Sequence, residues 1–448
     1  MKKILVAMAL AAVVLTGCKS QVKLEPVAEP SWYLNENYFK AYNDMYAEMS
    51  LSSSDIVLVG DEYMERGVWN EFFADTTLTN RGIAGGGIEH VLWRIDRIAA
   101  QKPAKIVVSG GFNDINHGTS VEDVVSMTSQ VFERCKALSP SSRLAYVNIV
   151  PLSTSEKNAQ FEEVNARVRK IASASGVEYI DAASVLAEGV GSGEYSFDGG
   201  IMLNGAGYAA LAGALEGFVG KPHVNAPAPE PKATAGKAQK KDFGTYYNSW
   251  LSVFRSLPAS EGKIVLLGDS LTERGLWSEL FPFTPVLDRG IGGDTIEGIA
   301  ARLDEVARLN PSRIFLMVGC NNLSGREKVD VSKVWAEYEK LIKEIKKQMP
   351  ETTLYVQSIL PVAKDYQYSD VFVGAAAEIN KLLEAGVERY GYFYLDIASK
   401  LADEEGFLRG DLSVDGVHLS PDGYFIWATQ LLQGNRLMKS TTPEFKVK

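Results

Sequence analysis

The sequence predicts two tandem α/β domains, each built on a parallel sheet with helices on both faces. Three observations carry this expectation. A passage near the start, Ile56-Val57-Leu58-Val59-Gly60-Asp61 followed by Glu65-Arg66-Gly67, returns 208 residues later as Ile264-Val265-Leu266-Leu267-Gly268-Asp269 and Glu273-Arg274-Gly275. Each copy alternates short apolar runs with helix-patterned stretches, the signature of strands covered on both faces. The 448 residues, 46% hydrophobic and 23% charged, suffice for two domains that each bury a core.

Taken in order, residues 1–17 read as a lipoprotein signal peptide. Lys2 and Lys3 precede an apolar stretch from Ile4 to Leu15 that is too short to span a bilayer as a mature helix. Leu15-Thr16-Gly17-Cys18 resembles the bacterial lipobox. That resemblance implies cleavage before Cys18 and acylation of its thiol and new amino group, and several acyl chains anchor stably where one is marginal. Lys19, not Asp, follows the cysteine; the resemblance to lipoproteins of double-membraned bacteria then implies a cell-envelope location, lipid-anchored at the outer membrane. Residues 18–34 are expected to be a tether.

Two domains follow, 35–222 and 242–440, joined by an Ala/Pro/Lys-rich linker at 223–241. The halves agree well beyond the opening passage. Tyr38 pairs with Tyr246, Trp69 with Trp277, Arg81-Gly82-Ile83-Ala84-Gly85 with Arg289-Gly290-Ile291-Gly292-Gly293, and Asn113 with Asn321. The offset then grows, as in Tyr208 with Tyr424. A period near 210 is too long for a solenoid and means a duplicated domain.

In the second half the strand candidates are Lys263–Leu267, Val286–Asp288, Arg313–Val318, Thr353–Gln357 and Tyr392–Asp396, with helical patterns over Thr295–Leu309 and Val331–Gln348. Three polar blocks, Gly268-Asp269-Ser270, Arg289 to Asp294 and Gly319-Cys320-Asn321, each come just after a strand. In a parallel sheet they converge at the carboxyl edge, where ligands bind.

Composition excludes some functions. A net charge of −10 and a pI near 5.2 argue against a nucleic-acid partner. Cys135 and Cys320 are not at matching repeat positions and are expected to be small buried residues, not a disulfide. No Cys/His cluster has metal-ligand spacing among the four histidines, His90, His117, His223 and His418, so neither metal nor other cofactor is expected.

Ser270, at a strand-to-helix turn, is the candidate nucleophile, and a serine needs a base. The second half offers one histidine, His418, three residues after Asp415 and just before Ser420-Pro421, which read as the start of the last helix. An aspartate that orients an imidazole, and an imidazole that takes the serine proton, are triad roles. The Ser270 and Gly293 N–H groups and the Asn321 amide supply three donors for an oxyanion.

These four blocks resemble the SGNH (GDSL) esterase/acylhydrolase family over about 200 residues of the second half: Gly268-Asp269-Ser270-Leu271, Gly293, Asn321 and Asp415-x-x-His418. The resemblance implies a three-layer, flavodoxin-like α/β/α fold, no metal, and hydrolysis by Ser270, His418 and Asp415 with Ser270, Gly293 and Asn321 as the oxyanion hole. Asn322 stands where the family often has Asp. The wording is nearest the acetylhydrolase-like branch.

The first half resembles the same family but departs at the chemistry. Glu62 replaces the serine and, read back from Tyr208, Met202 replaces the histidine, while Gly85 and Asn113 remain. This half is expected to be inactive, with a cleft retained for packing or for binding a sugar or acyl group. The whole reads as an exported serine esterase that removes small acyl groups, acetyl foremost, from a glycan or small molecule. The alternatives are a glycan-binding surface lipoprotein with little catalysis and a lipid or thioester acylhydrolase. Oligomeric state is not legible in the sequence.

Overall fold

The computed structural model describes residues 24–224 and 242–434. Cys18 and most of the linker lie outside the described residues.

Among the described residues ten strands form two sheets. In the first half they are β1 (Ile56–Gly60), β2 (Leu78–Gly82), β3 (Lys105–Ser109), β4 (Arg143–Val147) and β5 (Glu178–Ile180). In the second they are β6 (Ile264–Gly268), β7 (Val286–Gly290), β8 (Arg313–Met317), β9 (Thr353–Gln357) and β10 (Phe393–Leu395). The orders are β2-β1-β3-β4-β5 and β7-β6-β8-β9-β10, with every pairing parallel. This is the flavodoxin-like order of a doubly wound sheet. Residues of β1 and β6 are buried throughout, which explains their unbroken apolar spelling.

One predicted helix differs. Thr295–Leu309 divides into Ile296–Ala301 and Leu303–Ala307, although its first-half counterpart runs unbroken over Ile88–Ala99. The break falls at Arg302, whose guanidinium is fully buried. It donates to the carbonyl oxygens of Gly268 at 3.0 Å and Arg289 at 2.8 Å and pairs with Asp294 at 2.9 Å. In the first half Gly86 stands opposite Asp294, so Arg94 has no such carboxylate, and its bond to Gly60 O is longer at 3.3 Å.

The halves pack face to face about a pseudo-two-fold axis. Arg81 grips Glu279 through two bonds of 2.7 and 2.8 Å, and Arg289 grips Glu71 through two of 2.8 and 2.9 Å. Each partner lies 208 positions from its equivalent, so the contact is isologous within one chain. The helices that open the halves exchange cores. Trp250, Val253 and Phe254 of the Thr245–Ser256 helix join the first-half core, while Met45 and Met49, at the end of the Glu36–Glu48 helix, join the second.

The expected tether is in part built into the first half. Ser31 bonds Glu89, and Trp32 is buried against His117, stacked at 4.5 Å. Among the described residues no helix is long and apolar enough to cross a membrane.

Candidate active site

Four loops build the site: three leave β6, β7 and β8 at the carboxyl edge of the second sheet, and a fourth precedes the last helix. Leaving β6, Asp269 caps the Ser270–Glu273 helix by accepting from Leu271 N at 3.1 Å, and burial pushes its carboxyl up to about 7. This cap fixes the turn that presents Ser270. Tyr424 and Trp277, both buried, brace it from beneath: Tyr424 donates to Leu271 O at 2.9 Å and Trp277 to Thr272 O at 2.7 Å. Both serve as core.

The loop before the Pro421–Gly434 helix carries the other two groups. Asp415 Oδ1 accepts from His418 N at 2.8 Å and Val417 N at 3.1 Å, which folds the loop into a tight turn. Asp415 Oδ2 is then 2.7 Å from His418 Nδ1, and His418 Nε2 is 3.0 Å from Ser270 Oγ. Burial opposes charge on Asp415, but the His418 hydrogen bond and the two backbone donors outweigh it and hold the carboxyl well below the usual range. For His418 burial dominates and lowers the pKa from the ordinary 6.5. The imidazole is therefore neutral at pH 7 and free to accept a proton. Turnover should fall as pH drops through a His418 pKa below 6.5, and kcat/KM measured against pH checks this.

The donors lie alongside. Gly293, at φ +77°, follows β7 with open space on its Cβ side. Asn321, after β8, gives one amide hydrogen to Asp294 O at 2.8 Å, leaving the second. Asn322 accepts from Ile296 N at 3.2 Å, the same helix-capping service that Asp114 gives to Ile88 N at 2.7 Å in the first half. The Asp-to-Asn departure thus keeps its structural role.

The first half displays where the donors aim. There Glu62 Oε2 accepts from Asn113 Nδ2 at 2.8 Å and from Gly85 N at 3.2 Å. A carboxylate oxygen of the chain itself sits at the point where an oxyanion would. Leu34 lies over Gly85, within 3.2 Å of where a Cβ would stand, and Met202 is buried in the core. The replacement at residue 62 therefore sets a carboxylate against Gly85 and Asn113 where the second half carries Ser270. Glu62→Ala should leave the Gly85 N–H and one hydrogen of the Asn113 amide unpartnered, the other staying on Gly86 O, and cost about 1–3 kcal/mol with ester turnover unchanged; thermal denaturation beside an esterase assay measures both.

One retained group was hidden in the sequence. Reading back from Tyr208 puts Gly199 opposite Asp415. The structure puts Asp198 there: it accepts from Met202 N at 2.9 Å as Asp415 does from His418 N. The first-half turn, bridged Ser196 to Leu203, is one residue longer than the Ser413 to Leu419 turn. Only the matching pair of bridges could reveal that insertion. His90 is buried, with burial holding its pKa down to about 4, and accepts from Gly87 N at 3.1 Å, while His117 stacks on Trp32. Cys135 and Cys320 are free and buried.

The chain matches the GDSL-like lipase/acylhydrolase family over residues 59–210 and 266–426, more than half its length and both halves. It belongs to that family. Family membership makes it an acylhydrolase/esterase with two tandem domains of the same kind. Among curated proteins, the platelet-activating factor acetylhydrolase IB subunit alpha2 of Rattus norvegicus is 25% identical over 198 residues, covering 41% of this chain and 84% of the relative. A GDSL-like lipase from Bacteroides thetaiotaomicron is similar at 20% identity, TM-score 0.37, over 42% of this chain and 96% of its own. A mutant acetyl-xylooligosaccharide esterase from Geobacillus is similar at 17%, TM-score 0.34, over 39% and 94%.

Proposed function

We propose that the second half is a serine esterase that cleaves small O-acyl esters, acetyl foremost, from carbohydrate at the cell envelope, and that the first half is catalytically retired. The observation that carries this is the continuous line Asp415–His418–Ser270 at 2.7 and 3.0 Å beside Gly293 and Asn321. His418 Nε2 takes the proton from Ser270 Oγ as the oxygen attacks the ester carbonyl. The Ser270 and Gly293 N–H groups and the Asn321 amide bind the oxyanion; each such donor contributes roughly 3 kcal/mol to the transition state. His418 returns the proton to the departing alcohol, and a water repeats the cycle on the acyl-enzyme to release the acid. Asp415 holds the imidazole in the required tautomer.

The acetyl preference draws support from the rat relative, which is named an acetylhydrolase. The carbohydrate and the envelope rest on the lipobox at Cys18, since an anchored enzyme meets the acylated alcohols of the cell surface. Glycan binding in the first-half cleft draws no support from Glu62 and Leu34, which fill it. Acetate release from a panel of acetylated glycans, beside long-chain esters and thioesters, tests the reading with Ser270→Ala as control. Acetylated sugars should be turned over fastest; faster long-chain hydrolysis would make the enzyme a lipid acylhydrolase instead.

A further inference from the structure

The half without a nucleophile reaches into the active site of the other. Arg274 stands directly after the Ser270–Glu273 helix. Its guanidinium lies over the ring of Tyr38, on the first half's opening helix, at 4.7 Å. Its Nη1 is 3.9 Å from Asp415 Oδ2, the oxygen that bonds the His418 ring. Tyr38 is itself held: its hydroxyl donates to Glu65 Oε1 at 2.5 Å. The pseudo-symmetric arrangement completes a ring, because Arg66 lies over Tyr246 at 5.5 Å and Tyr246 donates to Glu273. Glu273 also accepts from Gly292 N, next to Gly293.

The ring has equal chemistry in its two arms and unequal consequences. Arg66 serves a half with Met202 in the place of an imidazole. Arg274 borders a complete Ser–His–Asp line. An arginine side chain has many rotamers, and stacking on an aromatic face while pointing at a carboxylate selects one of them.

We propose that the first half acts in cis as a positioning subunit: Tyr38 clamps Arg274 against Asp415, and Arg274 holds the Asp415 carboxylate and the imidazole it carries in register with Ser270. This rests on the esterase reading of that site. Arg274 is then a positioning residue, not a catalytic one. The groups facing it are Tyr38, Tyr42, Tyr424, Asp415 and the adjacent Glu273, and those facing His418 are Asp415, Arg274 and Ser270. The phenols are buried and neutral, so Arg274 is the cation that acts on the pair. Its charge lowers the His418 pKa, after burial and against Asp415.

The test uses the full-length chain with Arg274→Gln, Arg274→Lys, Tyr38→Ala and Tyr38→Phe, and Arg66→Gln as the symmetric control. Two readouts are taken: the pH profile of aryl acetate turnover, and titration of the His418 ring by NMR, tractable with four histidines in the chain. Arg274→Gln should lower kcat roughly 10- to 100-fold with little change in KM, the scale of a small misplacement of reacting groups. It should raise both the acidic limb and the His418 titration by roughly 0.5–1 pH unit, the scale of one partly screened charge. Arg274→Lys should restore most of the titration, and Tyr38→Phe should rescue most of what Tyr38→Ala loses. Arg66→Gln should change neither readout. Equal behaviour of Arg274→Gln and Arg66→Gln would overturn the proposal, because a merely structural ring treats them alike. If Arg274→Gln does not fold, Tyr38→Ala against Tyr38→Phe decides. Should the parent chain hydrolyse no ester, the esterase reading falls, while the NMR titration still decides whether Arg274 acts on Asp415 and His418.

Discussion

Ser270→Ala should reduce ester turnover by on the order of 10⁴- to 10⁶-fold, the usual cost of removing a triad nucleophile, while the fold stays intact. The side chain makes one hydrogen bond, to His418 Nε2 at 3.0 Å, so its loss strands no buried partner. Steady-state kinetics on an aryl acetate, with circular dichroism to show the fold retained, measures this. Equal turnover by parent and variant would remove Ser270 from the mechanism. The residue also isolates the halves: Glu62 is the only other candidate at an equivalent position, and it is engaged by Gly85 and Asn113. On the proposed reading of the first half, no second active site masks the loss.

The second large effect concerns how the halves hold together. Arg289→Met should destabilise the protein by about 3–5 kcal/mol, because it leaves buried Glu71 without its cation and Glu305 with Arg308 alone. Arg289 is fully buried; it pairs with Glu71, 7% exposed, at 2.8 Å, and with Glu305, fully buried, at 3.3 Å. Arg81→Met should cost less, since its partner Glu279 is 21% exposed and water can solvate the orphaned charge. A fall of several degrees in denaturation midpoint for Arg289→Met, a smaller one for Arg81→Met, and partial recovery in Arg289→Met with Glu71→Leu are the expected pattern. Equal shifts for the two arginine variants would show that burial of the partner does not set the cost. The asymmetry matters for function, because the same face brings Tyr38 to Arg274.

Much of the catalytic half was legible before the fold was known. A parallel sheet sends every strand-to-helix loop to one edge, so Ser270, Gly293 and Asn321 had to converge once β6, β7 and β8 were recognised by their apolar spelling. His418 was legible by elimination and by its spacing from Asp415. The substitutions at Glu62 and Met202 were plain from the repeat. Their physical meaning was not. That a glutamate is long enough to put its own carboxylate between Gly85 and Asn113 depends on backbone placement, and the one-residue insertion that disguises Asp198 leaves no mark in composition or period.

By itself the amino-acid order determined the duplication, the alternation of strand and helix, and the residues able to form a serine hydrolase line in one half alone. These are local or periodic properties, and neighbouring residues suffice to express them. Only the tertiary structure decided that the copies meet about a pseudo-two-fold axis, that each opening helix enters the other half's core, and that Leu34 lies over Gly85 in the first half. It alone placed Tyr38 over Arg274, two residues 236 positions apart in the chain. Such contacts follow from the shapes of two finished surfaces, and no sequence interval encodes them.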